Sequence, residues 1–267
     1  MSLCLARTFR DALAAADRPL IGMWLSTGSM LNAEICAGSG VDWLLIDMEH
    51  GPNTIITVQR QLQVIAAYPV TPVVRVPVND PVIIKQVLDT GAQSLIVPMV
   101  ASAEEAAAAV AAVRYPPEGV RGVGSALARS GRWGRIAGYV PNATETVSLF
   151  VQIESRDAVD AAAEIAAVDG VDGVLVGPAD LAASMGVPGE QGHPEVVAAV
   201  RQVFEAVIAA EKKVGVNAFD PKTADAYIAA GAHFVSVSAD VTILARGAEA
   251  LAARFIPASA SSSADTY

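Results

Sequence analysis

The amino-acid sequence predicts an α/β chain closed into a single (β/α)8 TIM barrel, and three observations carry that prediction. Eight short apolar runs alternate with helical stretches, the pattern of parallel strands joined by crossover helices. The 267 residues match the ~250 that one such barrel takes. A histidine, an arginine and several acids fall at the C-terminal ends of the apolar runs, where a barrel gathers its chemistry. An open doubly wound sheet is the alternative that shares the alternation.

The elements follow in order. A helix over 9–16 precedes the barrel and stops before Pro19. Strand one is 21–26, and the small-residue turn Thr27-Gly28-Ser29 leads to a helix over 31–37. Strand two, 42–47, runs Leu44-Leu45-Ile46 straight into Asp47-Met48-Glu49-His50, and the breakers Gly51 and Pro52 end it. A helix over 55–67, strand three over 72–76 with Arg75 near its end, a helix over 81–90 and strand four over 94–98 come next. The helix over 104–114 is almost pure alanine.

The stretch 115–141 is irregular and rich in glycine, and a structureless loop of that length inside a domain is usually functional. Strand five is 148–154, followed by a helix over 158–167. Strand six, 171–176, runs into Gly177-Pro178-Ala179-Asp180-Leu181, and a helix spans 194–211. Strand seven is 214–217, a helix covers 222–230, strand eight is 234–238 and the last helix is 241–254. Residues 1–256 form one domain, and the Ser/Ala-rich 257–267 is expected to be a disordered tail.

Composition excludes several classes. Hydrophobic residues make up 53% and aromatic residues 5%, so Ala, Val, Leu and Ile build the core, as suits helices on parallel strands. A net charge of −10 with no basic run argues against nucleic acid or an anionic membrane surface as partner. Cys4 and Cys36 form neither a disulfide framework nor a metal-type spacing. No apolar stretch reaches the ~20 residues of a membrane span, and residues 1–10 lack the apolar core and cleavage site of a signal peptide. A cytoplasmic protein is the expectation.

The polar residues at strand ends are Asp47, Glu49, His50, Arg75, Glu154 and Asp180. His50 reads as a general base oriented by a carboxylate such as Asp47, or else as a polar loop residue. Glu154 and Asp180 come from adjacent strands, and two carboxylates so placed can share a hard divalent cation such as Mg²⁺ or Mn²⁺. The other reading is two solvated loop acids. Gln152 shares a face with Glu154 by the period of two.

Arg75 follows Val73 and Val74 in a buried strand, where arginine needs a partner. It can pair with Asp47 or Glu49, hold a substrate oxygen that becomes negative, or do both. The four lysines, Lys85, Lys212, Lys213 and Lys222, all lie away from the mouth, so none serves as a Schiff-base lysine. The turns after strands seven and eight lack a glycine-rich phosphate cradle.

Leu44-Leu45-Ile46-Asp47-Met48-Glu49-His50, Pro72-Val73-Val74-Arg75-Val76, Tyr115-Pro116-Pro117-Glu118-Gly119-Val120-Arg121-Gly122, Val151-Gln152-Ile153-Glu154 and Val176-Gly177-Pro178-Ala179-Asp180-Leu181 together resemble the HpcH/HpaI aldolases. These are class II, metal-dependent pyruvate aldolases of the 4-hydroxy-2-oxoheptanedioate type. The resemblance runs from about Phe9 to Phe255. It implies reversible addition of pyruvate, or a related 2-keto acid such as hydroxypyruvate, to an aldehyde, with Mg²⁺, Mn²⁺ or Co²⁺ as cofactor.

Carried over by motif, Glu154 and Asp180 are metal ligands, His50 is the base with Asp47 behind it, and Arg75 contacts the keto oxygen. Gln152 supports the substrate site, and the backbone at Gly177, Pro178 and Ala179 receives the carboxylate. Trp24 and the segment near Ala218 line the aldehyde side. The resemblance also implies a last helix exchanged with a neighbouring subunit in a homohexamer built as a trimer of dimers. The chain departs from the family at Asn217-Ala218-Phe219, in a region that shapes acceptor choice. Two rival functions are a lyase acting on a CoA thioester, suggested by Arg121, Arg129, Arg132 and Arg135, and a non-catalytic metabolite-binding barrel.

Overall fold

A computed structural model describes residues 4–256, so the tail at 257–267 lies outside the described residues. The strands are β1 (Leu20–Leu25), β2 (Trp43–Asp47), β3 (Thr71–Arg75), β4 (Ser94–Val97), β5 (Ser148–Ile153), β6 (Gly173–Val176), β7 (Lys213–Asn217) and β8 (Phe234–Ala239). All are parallel, and they close in sequence order into a barrel, with β1 bonded to both β2 and β8. Around them lie α1 (Phe9–Ala15), α2 (Met30–Ala37), α3 (Ile55–Ile65), α4 (Pro81–Asp89), α5 (Ala103–Val113), α6 (Arg156–Asp160), α7 (Ala162–Ala167), α8 (Pro178–Ser184), α9 (Pro194–Ala209), α10 (Pro221–Ala229) and α11 (Asp240–Phe255).

Local chemistry fixes where the helices begin. Thr8, Ser29, Thr54, Asp80, Ser102, Ser155 and Asp220 each sit before a helix and accept a backbone N–H of its first turn. Such a cap stabilises a helix by about 1 kcal/mol. Two elements differ from expectation. The helix expected over 158–167 is two short helices, α6 and α7, meeting at Ala161. After β6, where the sequence reading assigned no helix before 194, residues Pro178–Ser184 form α8, with Pro178 at its first position.

The strands' period of two sorts the core into two layers. Outward residues such as Leu44, Ile46, Val74, Val151, Val174 and Val216 pack against the helices. Inward residues such as Trp43, Leu45, Val73, Ile96, Phe150, Leu175 and Phe234 fill the barrel. Glycine makes room for the largest rings. A Cβ at Gly22 would lie 2.3 Å from Trp43, and one at Gly215 would lie 2.3 Å from Phe234.

Helix α1 plugs the N-terminal end. The Phe9 ring lies 5.1 Å from Trp43, and 5.2 Å from both Phe150 and Phe234, while the Phe9 N–H donates to Ser94 Oγ. The barrel's floor is therefore solid, and its inward polar residues gather at the opposite, C-terminal mouth. Helix α11 stands apart from this packing. Only Asp240 of its residues is buried, and Leu244, Leu251 and Phe255 are exposed. No helix among the described residues is long and apolar enough to cross a membrane.

Candidate active site

Asp47 ends β2 and organises the turn that follows. Its Oδ1 accepts the backbone N–H of Glu49 at 3.0 Å and that of His50 at 3.4 Å. Its own carbonyl accepts from Asn53 Nδ2, and Gln61 Nε2 donates to Asn53 Oδ1, so α3 braces the turn from behind. No side-chain hydrogen bond joins Asp47 to the His50 ring. Asp47 therefore contacts His50 only through its backbone and does not orient its ring in this structure, and among the described residues the exposed imidazole makes no hydrogen bond.

Arg75 is the register partner of Asp47 on β3. Both pairings left open by the sequence are made. Nε donates to Asp47 Oδ1 at 2.9 Å, Nη2 meets the same oxygen at 2.9 Å, and Nη1 meets Glu49 Oε2 at 2.8 Å. Nη1 also donates to Gln152 Oε1 at 3.4 Å, and the guanidinium lies 4.1 Å over the Trp24 ring. With its side chain only 3% exposed, Arg75 is held in one position by four residues from three other strands or their ends. Burial pushes the Glu49 carboxyl above the usual carboxylate range, against the pull of Arg75 and His50.

Glu154 follows β5. Its Oε1 accepts the Met99 N–H at 2.8 Å, and its Oε2 accepts from Gln152 Nε2. Met99 adopts φ +57°, a left-handed conformation that costs a non-glycine residue about 1 kcal/mol or more, and in this shape its N–H meets the carboxylate. Burial raises the Glu154 pKa to about 7; the bonds from Gln152 and Met99 oppose this, and the neighbouring Glu49 and Asp180 charges add to it. A buried carboxylate beside two others is a site short of positive charge. Gly177 completes the cradle, because a Cβ there would lie 2.9 Å from Glu154 Oε2 and 3.1 Å from Gln152 Nε2. Asp180 follows in the first turn of α8, with its side chain exposed at the mouth.

One cavity of about 250 Å³ has Trp24, Asp47, His50, Arg75, Gln152, Gly177, Ala179 and Asp180 among its walls, while Glu49 and Glu154 stand outside its lining. Three expected residues fall behind the wall, the first being Glu154, buried against Gln152 and the Met99 N–H. Ala218 is buried, its N–H donating to the Ser236 carbonyl, and its neighbours Asn217 and Phe219 take the wall in its place. Pro178 is buried at the start of α8, leaving Gly177 and Ala179 to face the cavity. The sequence reading did not single out Ser26, Leu175, Ala239, Val241 or Thr242, which also line it. The only signal for Leu175 was its inward position on β6, and the others carry none. A larger hollow of about 810 Å³ lies beside α1, but the ionic groups there include Arg18 and Asp42, which are already paired at 2.8 Å.

No lysine borders the mouth cavity. No group of three or more His, Cys, Asp or Glu side chains among the described residues is arranged to hold a metal. The carboxylates nearest Glu154 are Glu49 and Asp180, whose charges both act on its pKa. Hard oxygen donors of this kind fit Mg²⁺ or Mn²⁺, which usually take one or two protein carboxylates and leave the other positions to substrate and water.

The basic residues of 115–141 lie at the other end of the barrel, since that stretch joins the end of α5 to the start of β5. Arg121 is buried, stacked 4.5 Å from the Tyr115 ring, and donates to Tyr139 Oη. Arg129 donates to the Thr90 carbonyl, and Arg132 to that of Arg129. Arg135 stacks 5.1 Å from Trp133. Within one chain these arginines structure the N-terminal face and do not reach the mouth.

Comparison with known proteins places the chain among proteins of this fold. The family model described as HpcH/HpaI aldolase/citrate lyase matches residues 20–247. A 4-hydroxy-2-oxo-heptane-1,7-dioate aldolase of Salmonella dublin is 55% identical over 247 residues, covering 92% of this chain and 94% of that protein. A crystal structure of an HpcH/HpaI aldolase/citrate lyase family protein from Burkholderia cenocepacia J2315 superposes with a TM-score of 0.87 at 43% identity, over 91% of this chain and 96% of that one. The HpcH/HpaI aldolase from Desulfitobacterium hafniense DCB-2 superposes with a TM-score of 0.83 at 28% identity, over 93% and 98%.

Proposed function

The chain belongs to the HpcH/HpaI aldolase/citrate lyase family, and on that premise we propose how its mouth works as a class II pyruvate aldolase. The protein is a carbon–carbon lyase. It adds the enolate of pyruvate, or of a related 2-keto acid, to an aldehyde, and in reverse cleaves 4-hydroxy-2-keto acids. The observation that carries the site assignment is Arg75, a buried guanidinium fixed by Asp47, Glu49, Gln152 and Trp24 in the same cavity wall as Asp180 and Gly177.

Each residue has one task. Glu154 and Asp180 would hold the divalent cation, Mg²⁺, Mn²⁺ or Co²⁺, whose positive charge lowers the energy of a developing enolate. Arg75 lies ready beside the keto oxygen, and because its partners already fix it, it needs no reorganisation as that oxygen becomes negative. The backbone from Gly177 to Ala179 receives the keto-acid carboxylate, and the missing side chain at Gly177 leaves room for Glu154 and Gln152 beside it. Trp24 stacks beneath Arg75 and walls the aldehyde side.

His50 moves the proton. In cleavage its free ring takes the proton of the C4 hydroxyl, the C3–C4 bond breaks, and the electron pair passes to the enolate while the aldehyde leaves. Protonation of C3 then releases the 2-keto acid. Addition is the same path in reverse.

The exposed apolar face of α11, with Leu244, Leu251 and Phe255, supports packing of this helix on a neighbouring subunit, in a homohexamer built as a trimer of dimers. Light scattering on the full chain and on a chain ended at Ala239 tests this assembly: six copies falling to fewer supports it, and a monomeric full chain refutes it. Incubation with pyruvate and a panel of aldehydes, with and without Mn²⁺, tests the reaction through adduct formation. The absence of any metal-stimulated adduct across the panel would refute the assigned chemistry. The arginine positions described above give the CoA-thioester reading no support within one chain.

A further inference from the structure

The His50 ring makes no hydrogen bond among the described residues, so the backbone turn that carries it decides where the ring stands. That turn, 48–52, hangs between two fixed ends. At its start Asp47 Oδ1 accepts the N–H groups of Glu49 and His50, and the Met48 N–H donates to the Arg75 carbonyl at 3.0 Å. At its far end stands Asn53, buried at 8% exposure. Gly51 lets the chain fold back between the two. A Cβ there would lie 2.6 Å from the Asp47 carbonyl oxygen and 3.1 Å from Asn53 Nδ2.

The Asn53 amide is used at both ends. Nδ2 donates to the Asp47 carbonyl at 2.7 Å and to the Leu25 carbonyl at 3.2 Å, the last residues of β2 and β1. Oδ1 accepts from Gln61 Nε2 at 2.6 Å and from Thr57 Oγ1 at 3.3 Å, both on α3. The β1–β2 register ends at Leu25 with Ile46, so Asp47 lies one residue past the ladder and Asn53 carries the connection onward. Two N–H donors for two carbonyls, with an oxygen for the donors behind, are what a primary amide offers. An aspartate would set an acceptor against both carbonyls. Gln61 is fully buried and its Oε1 has no partner, so its amide is turned toward Asn53. Asn53 does not line the mouth cavity.

We infer that Asn53 is a positioning residue for aldol cleavage: by strapping the end of β1 to the end of β2 and closing the turn 48–52, it sets how the His50 ring stands in the mouth. This inference rests on the proposed role of His50 as the base.

The test is a double-mutant cycle on the cleavage of a 4-hydroxy-2-keto acid with Mn²⁺, using the wild type, Asn53→Ala, His50→Ala and the double variant, with thermal unfolding as the check on folding. A misplacement of 1 Å can slow a reaction by about 10², so Asn53→Ala should lower kcat by about tenfold or more. KM and Mn²⁺ affinity should stay within about twofold, because the loss falls on the transition state. The bonds that hold Arg75 and Glu154 do not pass through Asn53. In the His50→Ala background the same substitution should change cleavage by less than about twofold, whereas a general loosening of the fold would cost the same in both backgrounds. A folded Asn53→Ala with wild-type kcat overturns the inference, and so does an equal loss in both backgrounds. If Asn53→Ala does not fold, Gln61→Met carries the same cycle, since it keeps the volume at a position whose Oε1 is already unpaired. It should lower kcat in the same direction by a smaller factor, and an unchanged kcat there overturns the inference. Cleavage by His50→Ala at the wild-type rate sinks the base assignment and the strap with it, whereas a slow His50→Ala beside an unchanged Asn53→Ala sinks the strap alone.

Discussion

The Arg75 guanidinium reaches one oxygen of Asp47 through two nitrogens, Nε and Nη2, each at 2.9 Å, across the register pair that joins β3 to β2. Asp47 therefore fixes Arg75 directly, and touches His50 only through its backbone N–H. In the roles proposed above, this strand-end acid would position Arg75, the oxyanion partner, and leave the ring of His50, the base, untouched.

Asp47→Ala should consequently behave as an Arg75 defect. Removing one member of a buried pair costs about 3–5 kcal/mol, and both side chains here are no more than 3% exposed. Denaturant unfolding should show a loss of that order. In pyruvate exchange the double variant Asp47→Ala/Arg75→Ala should be no slower than Arg75→Ala. Additive losses would mean that Asp47 serves the base after all.

His50→Ala should slow aldol cleavage by about 10² to 10⁴, the range of a positioned proton-transfer group. Mn²⁺ affinity should be nearly unchanged, since His50 is assigned no metal contact. Cleavage at the wild-type rate would place the base elsewhere in the mouth.

Chelation should abolish activity, and Mg²⁺, Mn²⁺ or Co²⁺ should restore it. Asp180→Asn and Glu154→Gln each remove a negative charge from the pair and should weaken metal binding in calorimetric titrations. Wild-type affinity in both variants would show that the ligands are misassigned. Because no lysine lines the cavity, borohydride should trap no covalent pyruvate adduct.

Metal affinity should also depend on pH. Burial raises the Glu154 pKa from the ordinary 4.5 to about 7, so between these values the metal-free folded protein keeps a proton that the unfolded chain has lost. The contribution of this group to stability is therefore full below pH 4.5 and is lost as pH rises toward about 7. A cation must displace the same proton, so its apparent affinity should rise with pH and level off above about 7. Glu154→Gln should flatten both curves, and an unaltered pH dependence in that variant would point to another group.

The strands were legible because apolar runs such as Leu44 to Ile46 end abruptly in charge, and a barrel places such ends at one mouth. The break at Ala161 was not, because neither glycine nor proline marks it. Helix α8 is only seven residues, too short for a periodic signal. In the site, the ionisable residues declared themselves by type. The partner of Asp47 did not, since both His50 and Arg75 lay within reach in sequence terms and only the β2–β3 register separates them. Ser26 and Thr242 line the cavity through barrel closure, which brings the ends of β1 and β8 together and leaves no mark on either segment.

Deuterium uptake into the methyl group of pyruvate, followed by NMR with Mn²⁺ present and no aldehyde, tests the central assignment most directly, because it isolates enolate formation from bond cleavage. The wild type should exchange, Arg75→Ala should lose most of that rate, and Arg75→Lys should recover part of it, since a point charge cannot reproduce the guanidinium fork. Full exchange by Arg75→Ala would contradict the account, leaving Arg75 a structural ion-pair partner of Asp47 and Glu49 and nothing more.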